Sequence, residues 1–303
     1  MYRVLLFVFV LSTFKVYAQR ELFLDITAHN DFFNYQGTDK YYTGGHRIGL
    51  SFRNTKKVDR FHSVAVQQKI YTPSEISVPG YTAGDYPYNG LLYLSYRQGR
   101  LFRQGKASVT VQVDAGTTGA STGAGEVQTG FHKLINDRLP RGWHEVLELG
   151  ELLQVQLDFR RLVYQQKGVA LTMLKSFQTG TIYNRLQFGV EIKAGDDAYP
   201  YLRQRGAFAT GNGKKNGFYF FASPVLSYVH RNRMFDTRQL KIETDAAPAS
   251  KGLETEELVG TLNTGFVYFS PGFQLTLSQF MNTPEFRGAT NHTYGEIGLQ
   301  FRL

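Results

Sequence analysis

The 303-residue chain contains no cysteine. That removes disulfides, thiolate metal sites and thiol nucleophiles, and it rules out a lipoprotein signal, which needs a Cys to acylate. Long hydrophobic runs are also missing: no segment approaches the ~18 apolar residues of a membrane-crossing helix. Basic residues outnumber acidic ones, 34 to 25, for a formal charge of +9, but they are dispersed. A nucleic-acid binder would gather them into a stripe, so no nucleic-acid partner is expected. At a membrane surface the same charge could attract phosphorylated lipid head groups; it equally suits a solvated rim. The nucleophile elbow Gly-x-Ser-x-Gly, the P-loop, His-Glu-x-x-His and GxGxxG are all absent, so none of the chemistries they carry is signalled.

What is present points to the bacterial envelope. Met1–Ala18 has a basic Arg3, an apolar run Val4–Val10 and a small-residue site Val16-Tyr17-Ala18. This is the pattern of a secretory signal peptide cleaved before Gln19, and residues 19–303 are read as one domain. Phe (24), Tyr (19) and Gly (31) are abundant while mean hydropathy is only −0.30. Secretion, aromatics and modest hydrophobicity together suit an outer-membrane β-barrel, whose signal per strand is weak. The alternative is a soluble periplasmic β-sandwich or barrel.

The strands carry the period-two signature. Ile297, Leu299, Phe301 and Leu303 alternate with Glu296, Gly298, Gln300 and Arg302, one set for lipid and one for the lumen. Lys106–Ala115, Leu153–Arg160 and Ile182–Ile192 repeat it, and fainter versions lie at 21–29, 43–53, 61–71, 90–98, 167–175, 215–230, 256–270 and 272–281. The total is twelve, an even number, as single-chain bacterial barrels require. The fold class expected is therefore an all-β transmembrane antiparallel barrel of twelve strands. With a periplasmic N-terminus, the connections at 30–42, 72–89, 116–150, 176–181, 231–255 and 282–292 fall outside, and mostly short turns fall inside. Segment 194–214 is the exception, long on the periplasmic side.

Two rim segments gather polar groups. Residues 30–45 bring Asn30, Asp31, Asp39 and Thr43 into one loop, and such oxygens suit a hard cation or a polarised carbonyl. In the longest outer connection, Glu126–Asn136 has helical spacing, with Val127, Phe131, Leu134 and Ile135 on one face and Gln128 and His132 at i, i+4 on another. His132 is the best general-base candidate among the seven His, since a neutral imidazole can take a proton from water near pH 7. Asp137 is the nearest acid to orient it, with Glu145 and Glu148 behind. Trp143, the single Trp, reads as an interfacial anchor of this connection.

The order and spacing of several short motifs resemble the outer-membrane lipid A 3′-O-deacylase family over essentially the whole mature chain. They are Asn30-Asp31, Thr38-Asp39-Lys40-Tyr41-Tyr42-Thr43-Gly44-Gly45, Gln68-Lys69-Ile70-Tyr71-Thr72-Pro73, Asp85-Tyr86-Pro87-Tyr88-Asn89-Gly90, Gln128-x-x-x-His132 with Gly142-Trp143, and Pro284-Glu285-Phe286 before Tyr294-Gly295. The resemblance implies a twelve-stranded barrel in the outer membrane with its active site facing the outer leaflet. It also implies Ca²⁺-dependent removal of the 3′-linked acyloxyacyl group of lipid A in lipopolysaccharide. Carried over, His132 activates water, Asp137 orients it, Thr43 helps position the site, Asn30 and Asp31 bind Ca²⁺, and Lys69 contacts a lipid A phosphate. A monomer is expected. The chain departs from the family at Gly44, where Asn is usual, in Tyr86–Leu91, and at Val146, where Gln is usual. The competing readings are an outer-membrane phospholipase and a non-enzymatic porin or structural barrel.

Overall fold

The computed structural model describes residues 20–31, 40–54, 59–196, 216–240 and 252–303. The expected signal peptide, Asp39 and most of 194–214 lie outside the described residues. The remainder forms β1 (Arg20–Asn30), β2 (Tyr41–Asn54), β3 (Arg60–Thr72), β4 (Asn89–Phe102), β5 (Ala107–Thr118), α1 (Ala124–Ile135), β6 (Glu151–Gln166), β7 (Val169–Gly180), β8 (Tyr183–Gly195), β9 (Gly217–Asn232), β10 (Leu258–Phe269), β11 (Phe273–Asn282) and β12 (His292–Arg302). Each strand pairs antiparallel with the next and β12 closes on β1, giving a twelve-stranded barrel. No helix among the described residues is long and apolar enough to cross a membrane.

The expected strands are all there, several of them longer than their alternation suggests. The barrel is closed by backbone hydrogen bonds, and these continue past the point where side chains cease to alternate. α1 starts two residues before the expected helix and stops one before its expected end. Asn136 terminates it in the left-handed region (φ 56°), a conformation that Asn tolerates better than most residues.

Parity sorts the side chains. Ile48, Val66, Leu94, Val111, Leu157, Phe188 and Leu226 are exposed on the outside wall. The opposite parity fills the lumen with buried polar groups, several of which pair with one another. Asp25 accepts from Ser51 at 2.6 Å and from Gln300 at 2.5 Å. Asp114 accepts from Ser95 at 2.5 Å and from Gln112 at 2.8 Å. Buried carboxylates require such donors, because stripping them of water without replacement is costly.

At the end of the barrel that carries α1, here called the rim, rings close the lumen. Tyr41, Tyr42, Tyr71, Tyr86, Phe235 and Phe286 pack together, with Tyr71 and Tyr86 stacked at 5.5 Å. Glu285 lies beneath them in the connection between β11 and β12. Burial pushes its carboxyl up, and the cations of Arg185 and Lys69 pull it back.

Candidate active site

Asn30 and the helix that carries His132 lie on the outside wall rather than in the lumen. Asn30 ends β1 on the same parity as the outward Ile26 and sits in register between Gly44 of β2 and Gly295 of β12. The register continues from Gly44 to Ile70 of β3 and on to Gly90 of β4. One row of rim positions therefore spans β1 to β4, about 14 Å at ordinary strand spacing. Thr43 lies in an irregularity between Tyr42 and Gly44. There it is buried, with its hydroxyl 2.5 Å from that of Thr72.

α1 folds back over this wall. Gln68, outward on β3, donates to the Thr122 carbonyl at 2.8 Å. Gly90 lets the helix start settle on β4: a Cβ there would lie 2.0 Å from Thr122 Oγ1 and 2.6 Å from Ala124 Cβ. Gly90→Val is therefore expected to lift 120–135 from the wall. Limited proteolysis checks this, with the connection becoming cleavable while the barrel stays resistant.

The face that α1 buries is largely polar, unlike that of a helix in a soluble protein. Ala124, Gln128 and His132 are buried against the wall, whereas Val127, Leu134 and Ile135 are exposed. Such a helix suits an apolar surrounding, where the polar face is the one that must find partners. His132 Nδ1 lies 2.6 Å from the Arg138 carbonyl. A carbonyl can only accept, so Nδ1 carries the proton and Nε2 the basic lone pair. Asp137 stands 3.9 Å from Nδ1, beyond hydrogen-bond reach. Its other oxygen instead accepts from the Arg138 N–H at 2.7 Å, so Asp137 braces the peptide that orients the ring.

Gln128 completes the buried face. Its carbonyl accepts from Trp143 Nε1 at 2.8 Å, while its amide nitrogen is buried with no hydrogen-bond partner. Trp143 thus orients Gln128, and its ring packs on Tyr88 at 5.0 Å. Backbone bonds from Arg141 to Ile76 and from Leu147 to Tyr88 tie this connection to residues 73–88. Glu145 is buried and accepts from the Tyr81 N–H at 2.6 Å. It holds the two connections together and is spoken for as an orienting acid.

Asp31 is buried and accepts from the Lys40 N–H at 3.2 Å. With the Asn30 amide it offers adjacent hard oxygens, the donor type that Ca²⁺ prefers. Among the described residues no group of three or more His, Asp or Glu is placed to hold a metal. Any ion here would draw its other ligands from carbonyls, water or substrate. Gly44 lies against this pair: a Cβ there would stand 3.3 Å from the His29 carbonyl and 3.7 Å from the Asn30 amide nitrogen.

Lys69 requires a correction. It has the opposite parity from Gln68 and lines the interior cavities with Tyr42, Tyr71 and Tyr183. Its charge is set against Arg185, Asp114 and Glu285 within the lumen. The wall separates it from His132 and Asn30, so it is not placed to meet a lipid phosphate outside. Gln128 and the Arg138 carbonyl are the additions that the residues alone do not assign. The i, i+4 pairing of Gln128 with His132 was the available signal for the first; a backbone carbonyl leaves none.

The closed barrel has a counterpart among solved structures. In fold, LpxR from Salmonella typhimurium is similar at a TM-score of 0.77 and 18% identity, with 93% of this chain and 100% of that one covered. The KdgM porin aligns over 93% of this chain and 99% of its own, at 8% identity and a TM-score of only 0.40. No curated protein matches the sequence. The family model described as outer membrane protein LpxR matches residues 4–303. With a barrel that closes on itself, an apolar outside wall and a family match over nearly its whole length, this chain belongs to the LpxR family of outer membrane proteins.

Proposed function

We propose that this protein is a lipid A deacylase, an ester hydrolase that removes the 3′-linked acyloxyacyl group with water activated by His132. The observation that carries the reading is the buried pair on the wall side of α1. His132 is held in one tautomer, and the Gln128 amide beside it has hydrogen-bonding capacity unspent. A buried amide left in that state is costly unless something else uses it. In this reading the rim faces the outer leaflet and lipopolysaccharide is the substrate.

The chemistry follows from those groups. A water hydrogen-bonded to His132 Nε2 gives up its proton as its oxygen adds to the ester carbonyl. Negative charge then builds on the carbonyl oxygen, where the Gln128 amide can donate. On collapse the proton returns from His132 to the departing sugar oxygen, and no covalent enzyme intermediate is needed. Asn30 and Asp31 would hold Ca²⁺, which when bound polarises the ester carbonyl. Thr43, through Thr72, fixes the end of β2 beside them.

The test is expression of the full chain in a strain with intact lipid A, read by mass spectrometry. Loss of one acyloxyacyl mass supports the reading. An unchanged spectrum from folded, outer-membrane protein overturns it. Release of fatty acid from phospholipid alone would replace it with the phospholipase. The aromatic closure of the lumen at the rim does not favour a porin.

A further inference from the structure

We propose that a groove on the outside wall of β7–β12 holds one acyl chain of the glycolipid whose ester the rim site cleaves; this rests on the reading above. The groove has a volume of ≈ 890 Å³ and an almost wholly apolar lining. Its course follows one row of outward residues: Met173, Val190, Pro224, Leu262, Met281 and Thr293. Thr293 is the second residue of β12, whereas Met173 lies in the middle of β7. The row therefore descends from the rim to the depth of the hydrocarbon.

Two local features hollow the wall. Pro224 has no N–H for the ladder. Between β8 and β9, Gly189 pairs with Val225 and Ile192 with Ala222, with no registered pair at Val190 or Glu191 between them. In the row nearer the rim, Gly260 leaves a gap between Leu226 and Thr283, and a Cβ there would touch only Thr283, at 3.3 Å. Leu226 and Phe188 stand out above the groove, each more than half exposed.

Position and size select the occupant. The upper end is polar, with Thr283, Asn291 and Thr293. Thr293 is two residues from Gly295, the partner of Asn30. A chain leaving an ester beside Asn30 would thus enter the groove directly, on the opposite side of the site from α1. Six strands give five spacings, about 24 Å. One leaflet of a ~30 Å hydrocarbon core is about 15 Å deep, so an oblique track of this length accommodates a single chain. An acyl chain brings no polar group that the apolar lining would leave unsatisfied.

Photo-crosslinking tests the proposal. A benzophenone amino acid is placed at Leu262 in the groove, or at Val155 on β6, likewise the fifth residue from the rim end of its strand, as an exposed control elsewhere on the wall. The full chain carries His132→Gln, so that substrate is retained, in outer membranes containing intact lipid A. The expected result is a lipid A-to-phospholipid adduct ratio several-fold higher at Leu262, reduced by Gly260→Phe. Val190→Trp serves the same purpose should Gly260→Phe fail to fold. Equal ratios at the two positions, adducts with phospholipid only, or indifference to both groove-filling variants would overturn it. The two readings fail separately. Selective lipid A adducts from a wild-type chain that hydrolyses nothing would sink only the enzyme, and hydrolysis with equal adduct ratios would sink only the groove.

Discussion

Replacing His132 by Ala is expected to lower lipid A deacylation by about 10²–10⁴-fold, the usual contribution of a positioned general base. His132 is buried and bonded to the Arg138 carbonyl, so the deletion also leaves a hole beneath α1. His132→Gln separates the two effects, because it refills most of the space and can still hydrogen-bond. Both variants should lose the acyl-mass change while the folded barrel keeps its characteristic gel mobility before heating. Activity in His132→Gln within a few-fold of wild type would remove His132 from the chemistry. Asp137→Asn should cost far less. Its carboxylate is nearly half exposed and acts on the ring only through the Arg138 peptide, which an Asn side-chain oxygen can also brace.

The second large effect is expected at Asp31. Asp31→Asn keeps an oxygen for the Lys40 N–H but removes the charge that would hold a divalent cation. If Ca²⁺ polarises the ester carbonyl, its loss should cost about 10²–10³-fold, comparable to deleting a main stabiliser of the developing oxyanion. A chelator should produce the same loss in wild type. Raising Ca²⁺ should restore the Asn variant in part, since a weakened site is refilled by mass action. Activity that survives both chelation and Asp31→Asn would show that these oxygens serve the end of β1 and not an ion.

The barrel was legible because period two survives in single strands. β12 and β5 could be read residue by residue, and the even total followed from the fainter segments. The same rule could have placed Lys69 correctly. It shares parity with Ala65 and Tyr71, while Val66 and Ile70 have the parity of the wall. The resemblance carries Lys69 over with its motif and takes no account of parity. The orienting bond of His132 was not legible, because its partner is a backbone carbonyl. That a connection folds back over the outside of the barrel is a tertiary fact. Its single trace in the sequence is Gly90, whose missing side chain makes room for Thr122 and Ala124. The bond from Trp143 to Gln128 was not legible either, because an indole carries no mark of the amide it will meet.

The wall side of α1 has a further consequence. In the proposed reading, a site on the outside of a barrel would meet its substrate by sliding within a sheet of lipid, with no transfer into water. The encounter is two-dimensional, and the quantity that sets the rate is the mole fraction of substrate in the surface. Dilution with inert detergent or lipid should therefore slow the protein even when the bulk concentration of substrate is unchanged. Half-saturation expressed per volume would drift from one preparation to the next, and expressed per surface it would hold.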